Sequence, residues 1–312
     1  MLRVEEIDAR TAPDDVLLAI HAVEEACSYE RPFREPGLSL AYYRHWSDGL
    51  RRRFVGLDGD AVVGAAVLLI LAPTFVVGEV LVLPRARRRG LGTALLAAVS
   101  DGVREAGATS FFGHHHDESG AAFARAVGAV DDQREVAAEL RLREAKLPEP
   151  VLPAGFRLVS WCGAAPDELV ESYAVARDAM SDAPDPEGFE YPPTDVAWVR
   201  EMEEAAAARG REIRATVALD ERGEVAAFTD VRVSAPPSPI ASTDDTATAR
   251  WARRRGLSTA VKLESLRRLR EARPDVELVR TVNAERNVGM RTVNTRAGFV
   301  PVAVRTTTVV TL

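Results

Sequence analysis

Arginines and small residues meet twice in this sequence, each time between a strand-like apolar segment and a segment with helical spacing. The first run is RRRGLG at positions 87–92, and the second is RRRGLS at positions 253–258. The first amides of a helix have no internal partners and carry partial positive charge, so a phosphate binds there when no side chain blocks it. Gly90 and Gly92 keep that approach open, and the arginines would bond to phosphate oxygens. A solvated basic turn is the alternative, but two matched copies favour phosphate binding.

The two runs belong to a longer internal repeat. A second landmark, GAV at positions 128–130, recurs as GFV at positions 298–300. GAV and GFV are separated by nearly the same number of residues as the two arginine runs. A duplicated domain explains both intervals. We therefore expect two copies of one fold.

Length and composition agree with two domains of one α+β class. The chain has 312 residues. Because a typical domain has about 150 residues, this length predicts two domains. Three prolines mark a linker at 147–154 between predicted domains 1–146 and 155–312. In each half, strands alternate with helices, which predicts a mixed, mostly antiparallel central sheet flanked by helices.

Charge and hydropathy exclude several classes of protein. The net charge of −7 argues against a nucleic-acid partner. No apolar run approaches the roughly 20 residues of a membrane span, and the acidic N-terminus lacks the apolar core of a signal peptide, so we expect no membrane partner and a cytoplasmic location. Two cysteines, Cys27 and Cys162, form neither a disulfide framework nor a structural zinc site, and no metal is expected. The expected state is a monomer or a homodimer.

The arginine runs resemble the pyrophosphate motif of the GCN5-related N-acetyltransferase (GNAT) superfamily, Arg/Gln-x-x-Gly-x-Gly/Ala after the fourth strand. The first run matches in full, and the second has Ser258 at the last small position. The resemblance implies two tandem GNAT domains and acetyl-CoA as the donor co-substrate. It implies that coenzyme A contacts Leu81, Val82, Leu83, Arg87, Arg88, Arg89, Gly90, Leu91, Gly92 and Thr93, and in the second half Arg254, Arg255, Gly256, Leu257, Ser258 and Asn287.

The second half also resembles tandem actinobacterial acetyltransferases of the mycothiol synthase type. The resemblance rests on TVNAERNVGMRTVNTRAGF at 281–299, with Asn283, Asn287 and Asn294. It implies an acetyl-CoA-dependent N-acetyltransferase that acts on a primary amine of a small molecule. The alternative is a non-catalytic acyl-CoA-binding or sensing protein.

Carboxylates occur at matching positions before the two glycine turns. Glu79 precedes Gly90 by the same interval as Asp245 precedes Gly256. The GNAT resemblance implies a carboxylate on the fourth strand that helps remove the amine proton; a solvent-facing strand residue is the alternative. The GNAT resemblance also implies a Tyr, four residues before the glycine of the second landmark, that protonates the departing thiolate of coenzyme A. Ala124 and Asn294 stand at that position here, so neither half has this Tyr. Asn294 could donate a hydrogen bond to the departing thiolate but not a proton.

Two further polar stretches have both a functional and a structural interpretation. One of His114, His115 and His116 could face the acceptor site as an acid or base, although a polar strand end is the simpler view. The acidic loop at 180–193, which contains Asp182, could line an amine pocket, or could be a solvated connector.

Overall fold

The computed structural model describes residues 1–27, 40, 43–44, 51–72, 75–184, 194–208 and 210–312. It divides into two compact units: Met1–Arg134 with Val304–Leu312, and Glu135–Ala303. Helical spacing over Leu38–Asp48 predicts a helix. Most of that segment and most of the 180–193 loop lie outside the described residues. None of the described helices is both long and apolar enough to cross a membrane.

The first unit contains six strands and three described helices. Its elements are β1 (Leu2–Ile7), α1 (Asp14–Cys27), β2 (Arg51–Asp58), β3 (Ala61–Ala72), β4 (Phe75–Val82), α2 (Leu91–Glu105), β5 (Ser110–His115), α3 (Glu118–Ala126) and the end of β12 (Val300–Thr311). The β2–β3 hairpin turns at Gly59, whose φ of +63° favours glycine. The sequence LDGD at 57–60, between two strand-like segments, predicts this turn, and the structure confirms it.

The second unit repeats this order. Its elements are β7 (Arg157–Cys162), α4 (Asp167–Arg177), α5 (Val196–Ala208), β8 (Arg211–Leu219), β9 (Val225–Ser234), β10 (Ile240–Thr248), α6 (Leu257–Ala272), β11 (Leu278–Ala284), α7 (Val288–Arg296) and most of β6 (Val130–Arg141). Short 3₁₀ turns precede the arginine runs at Pro84–Ala86 and Arg250–Ala252, and another follows α4 at Asp178–Asp182.

The strand order is the same in both units. The first runs β1-β2-β3-β4-β5-β12, and the second runs β7-β8-β9-β10-β11-β6. Within each unit, neighbouring strands are antiparallel except for β4–β5 and β10–β11, which are parallel. The mixed, mostly antiparallel sheet expected from the sequence is confirmed.

The sixth strand of each unit comes from the other half of the sequence. Residues 306–311 of β12 pair with β5, and residues 135–141 of β6 pair with β11. The predicted boundaries at 146 and 155 separate the two sequence copies, whereas the compact units exchange their last strands. Sequence spacing marks a duplication but carries no information about which copy of a final strand completes which sheet.

Apolar helix faces pack on each sheet. In α2, Leu91, Leu95, Val99 and Val103 recur every fourth residue and are all buried, which is the spacing of one helix face. In α6, Leu257, Val261 and Leu266 are similarly buried, but the fully buried set also includes Lys262. This lysine is an exception to the apolar face and bears on the chemistry of the second unit.

Candidate functional site

In the first unit, the parallel strands β4 and β5 separate before they end. Within the described residues they share one register pair, Val77 with Phe112, although β4 continues to Val82 and β5 to His115. The gap leaves a wedge that opens towards the first arginine run.

The first arginine run forms a tight loop between β4 and α2. Arg88 and Gly90 have φ values of +62° and +86°, so the loop uses the left-handed region twice. The Nε of Arg87 donates to the carbonyl of Val82 at 3.0 Å and ties the loop to the strand end. Gly90 caps α2 without a side-chain hydrogen bond, so the first amides of that helix stay available to a ligand.

A cavity of about 380 Å³ lies between the loop, the strand gap and helix α3. Its lining combines the strand end, the loop and the start of α3: Cys27, Glu79, Val80, Leu81, Val82, Arg87, Arg88, Gly90, Gly92, Thr93, His114, His115, His116, Asp117, Ser119, Gly120 and Phe123.

Glu79 and His114 face each other across the strand gap. Nε2 of His114 lies 3.9 Å from Oε1 of Glu79, and the Glu79 side chain is 36% exposed. Burial, with help from Arg305 and the adjacent histidines, lowers the pKa of His114 to about 3. The imidazole is therefore neutral at physiological pH, and Glu79 is the carboxylate of the pair that faces the cavity.

Most residues predicted to contact coenzyme A in the first half line this cavity, namely Leu81, Val82, Arg87, Arg88, Gly90, Gly92 and Thr93. Three do not. The side chains of Leu83 and Leu91 are buried in the hydrophobic core, and Arg89 pairs with Asp58 at 2.6 Å.

Gly92 lines the cavity and also permits close packing. A Cβ there would lie 3.3 Å from the Phe123 ring, so the glycine allows α3 to approach the loop.

Several cavity residues were not singled out from the sequence. Cys27 lies at the end of α1, and burial raises the pKa of its thiol. Asp117 caps α3 by accepting from the amide of Gly120 at 2.7 Å. Its counterpart in the second copy of the repeat, Asn287, caps α7 through the amide of Met290 at 3.1 Å. The repeat spacing could have identified this pair of caps. Among the described residues, no three His, Cys, Asp or Glu side chains are grouped to hold a metal ion.

The second unit repeats the loop backbone closely. Arg254 and Gly256 have φ values of +63° and +83°, and Nε of Arg253 donates to the carbonyl of Thr248 at 3.2 Å. The side chains differ from the first copy. The hydroxyls of Ser258 and Thr248 hydrogen-bond to each other at 2.6 Å, and the Arg255 guanidinium lies 5.8 Å from the Phe156 ring centre. Leu257 is buried in the core.

Asp245, the counterpart of Glu79, is bound to a buried cation. Its carboxylate pairs with Arg177, which also pairs with the fully buried Asp230 and donates to the Tyr173 hydroxyl at 2.9 Å. Burial raises the pKa of Asp245, and Arg177 acts in the opposite direction. The ion pair holds the Asp245 carboxylate against Arg177, whereas Glu79 lines the cavity of the first unit.

Asn294, the other catalytic candidate of this half, is 4% exposed and bonded at both ends of its amide. It accepts from Nζ of Lys262 at 2.6 Å and donates to Oδ1 of Asn283 at 2.5 Å. Burial lowers the pKa of Lys262 to about 7. One of the two N–H donors of Asn294 is therefore committed to Asn283, and its carbonyl oxygen is committed to Lys262.

Part of the sequence matches a known protein family. Residues 19–128 match the acetyltransferase (GNAT) family. A stretch of 142 residues is 34% identical to a mycothiol acetyltransferase of Rhodococcus erythropolis and covers 45% of this chain and 46%, about half, of that relative.

Solved structures extend the likeness over both units. A tandem GNAT protein from the clavulanic acid biosynthesis pathway superposes with a TM-score of 0.76 at 25% identity, covering 100% of this chain and 98% of that one. A GCN5-related N-acetyltransferase from Sphaerobacter thermophilus also gives 0.76, at 16% identity, over 99% and 95% of the two chains. The chain therefore has the tandem GNAT fold, and the cavity described above lies in its first GNAT unit.

Proposed function

We propose that the first GNAT unit binds acetyl-CoA and transfers its acetyl group to a primary amine of a small molecule. The observation that carries this proposal is the cavity at the β4–β5 gap, which joins an uncapped helix start and two loop arginines to a carboxylate. The family match and the acetyltransferase relative support the donor and the class of reaction.

The loop has the features that a pyrophosphate requires. The amides at the start of α2 lack a side-chain cap, and a Cβ at Gly90 would meet no atom within 4 Å, so the space beside the loop is open. Arg87 and Arg88 also line the cavity and can neutralise phosphate charge. The residues present therefore fit the phosphates of coenzyme A.

Glu79 is suited to accept the proton that the attacking amine loses. The thioester supplies an activated acyl carbonyl; the new C–N bond forms as the C–S bond breaks, and the coenzyme A thiolate leaves. Glu79 takes the amine proton directly or through water. His114, neutral beside it, can hydrogen-bond to Glu79 or to the substrate without competing for that proton.

No tyrosine is available at the position that the GNAT resemblance assigns to the acid. Ala124 occupies it and is 9% exposed. The hydroxyls of Thr93 and Ser119 line the cavity instead and can donate hydrogen bonds to the departing thiolate. Positioning supplies much of the rate enhancement in such a reaction, so the missing acid is compatible with turnover.

Two matched glycine variants test donor binding. Gly90→Asp and Gly256→Asp occupy loops with nearly identical φ, and a Cβ at either meets nothing within 4 Å, so they carry the same folding cost. The new carboxylate repels phosphate. We expect Gly90→Asp to abolish acetyl-CoA binding in calorimetry, whereas Gly256→Asp binds like the parent protein. Unchanged affinity in Gly90→Asp would refute the proposed donor site.

The missing acid also favours a second candidate, a protein that binds acyl-CoA without turnover. Release of thiol from acetyl-CoA across a panel of small primary amines separates the two. Steady release with any amine supports the transferase. Tight binding with no release above the uncatalysed rate for every amine supports the sensor.

A further inference from the structure

One carboxylate of the second unit holds two arginines of that unit's loop region. Asp182, in the 3₁₀ turn after α4, accepts from Nε of Arg250 at 2.9 Å and pairs with the terminal nitrogens of Arg250 and Arg253. These two guanidinium groups hold the pKa of Asp182 well below its usual range. Asp182 is therefore an anion at physiological pH.

Arg253 is the counterpart of Arg87 in the repeat. Both donate Nε to the last carbonyl of the preceding strand. Arg87 then lines the cavity of the first unit, whereas Arg253 turns its terminal nitrogen to Asp182. In the part of the chain that the structure describes, Arg89 is the one arginine of the 87–89 run with a carboxylate partner. The first loop thus keeps cationic groups for a ligand, and the second has a carboxylate on its matching arginine.

The second site also contains a polar contact that the first site lacks. Ser258 and Thr248 stand where Gly92 and Val82 line the cavity of the first unit, and their hydroxyls bond to each other. One hydroxyl donates to the other, so this contact uses one of the two O–H donors within the protein.

The catalytic counterparts are engaged in the same way. Asp245 is paired with Arg177, and Asn294 is held by Lys262 and Asn283. At four positions of the second unit, polar groups that could serve a ligand thus already have a partner within the chain.

From these contacts we propose that the second unit is a self-filled site, in which the Asp182 carboxylate takes the place of a phosphate on Arg253. One chain then binds one acetyl-CoA, in the first unit. This inference rests on the proposed function for the first unit but makes a separate claim about the second.

The stoichiometry of binding tests this claim directly. We expect calorimetry with the full chain to give one acetyl-CoA per chain, and two would overturn the inference. Failure of the proposed function has a different signature: one acetyl-CoA per chain that is lost in Gly256→Asp but kept in Gly90→Asp would overturn both.

A second experiment removes the internal anion. In a Gly90→Asp background, which silences the first loop, Asp182→Asn frees Arg250 and Arg253. We expect inorganic pyrophosphate to bind roughly tenfold or more tightly than in the background protein, in a salt-dependent manner. Glu149→Gln, which makes the same charge change beside the exposed Arg267 pair, is the control and should not bind pyrophosphate.

The same pyrophosphate titration could also contradict the proposed role of Asp182. Pyrophosphate affinity that is unchanged by Asp182→Asn, in a protein whose melting temperature shows it folded, would show that Asp182 does not fill the second loop.

Discussion

Glu79 and Asp245 occupy the same position of the repeat but have different partners. Glu79 lies 3.9 Å from a neutral histidine and faces a cavity, whereas Asp245 is paired with the buried Arg177. A general base needs a lone pair directed at the substrate and a carboxylate that is free to change its charge. Glu79 and Asp245 are equivalent by position in the repeat, but their neighbours suit only Glu79 to the role of general base.

Replacing Glu79 with Gln tests its role as the base. The amide keeps the shape of the side chain but cannot take the amine proton, so kcat should fall by about 10²- to 10⁴-fold. The affinity for acetyl-CoA should not change. Steady-state turnover and calorimetry on the same preparation measure the two effects. Glu118→Gln, an exposed carboxylate outside the cavity lining, is the control; full turnover in Glu79→Gln would remove Glu79 from the mechanism.

Lys262 gives the second unit a measurable dependence of stability on pH. Its pKa is about 7 in the folded chain, against 10.5 for an exposed lysine. Below pH 7 both states hold the proton, and the cost of burying the charge is at its full value. Between pH 7 and 10.5 only the unfolded chain holds it, so the free energy of unfolding rises with pH.

Lys262→Met removes this dependence. We expect the difference in unfolding free energy between the parent and the variant to change by about 1.4 kcal/mol per pH unit between pH 7.5 and 9.5, in favour of the parent at the higher pH. Urea unfolding at several pH values measures it. The slope is the readout, because the substitution also removes the hydrogen bond to Asn294. Parallel stability curves would show that Lys262 is charged when buried.

At the scale of elements, the gap between β4 and β5 depends on close packing behind it. Gly78 follows Val77, the residue of β4 that pairs with β5. A Cβ at Gly78 would lie 2.7 Å from the Phe111 ring and 2.9 Å from Val99. The ring and helix α2 therefore approach the strand where it leaves its neighbour. A side chain at this position would push β4 away from its support.

Gly78→Ala should destabilise the first unit by about 1–3 kcal/mol through overpacking. Gly113→Ala, on the adjacent strand β5, is the matched control, because a Cβ there meets its nearest atoms at 3.4 Å. Chemical denaturation of both variants measures the difference. An equal, small effect from both would contradict the packing described around Gly78.

The elements were largely predictable from the sequence, and their partners were not. Apolar spacing and turn residues are local. They predict helices over Pro13–Ala26 and Leu91–Ala106 and a turn at Leu57–Asp60, which agree closely with α1, α2 and the β2–β3 hairpin. The cavity lining from Leu81 to Thr93 followed from a motif. The Asp182–Arg253 pair joins residues 71 positions apart, and the capture of Asp245 by Arg177 joins residues 68 positions apart. No local pattern encodes such contacts.

At the scale of the whole molecule, duplication produced two copies of one backbone with different chemistry. The loop dihedral angles agree within a few degrees, and the strand orders are the same. Each sheet is completed by the final strand of the other half, so neither half of the sequence contains a full unit. The second half of the sequence is thus required to complete the first sheet, to which it supplies residues 304–312.

A crystal structure with acetyl-CoA tests most directly whether the first unit alone binds the donor. We predict density for one molecule per chain, with the phosphates at the amides after Gly90 and the acetyl group near Glu79. The loop at Gly256 should keep the Asp182 ion pairs. Acetyl-CoA bound at Gly256, with Asp182 displaced from Arg253, would contradict both the assigned donor site and the self-filled second unit.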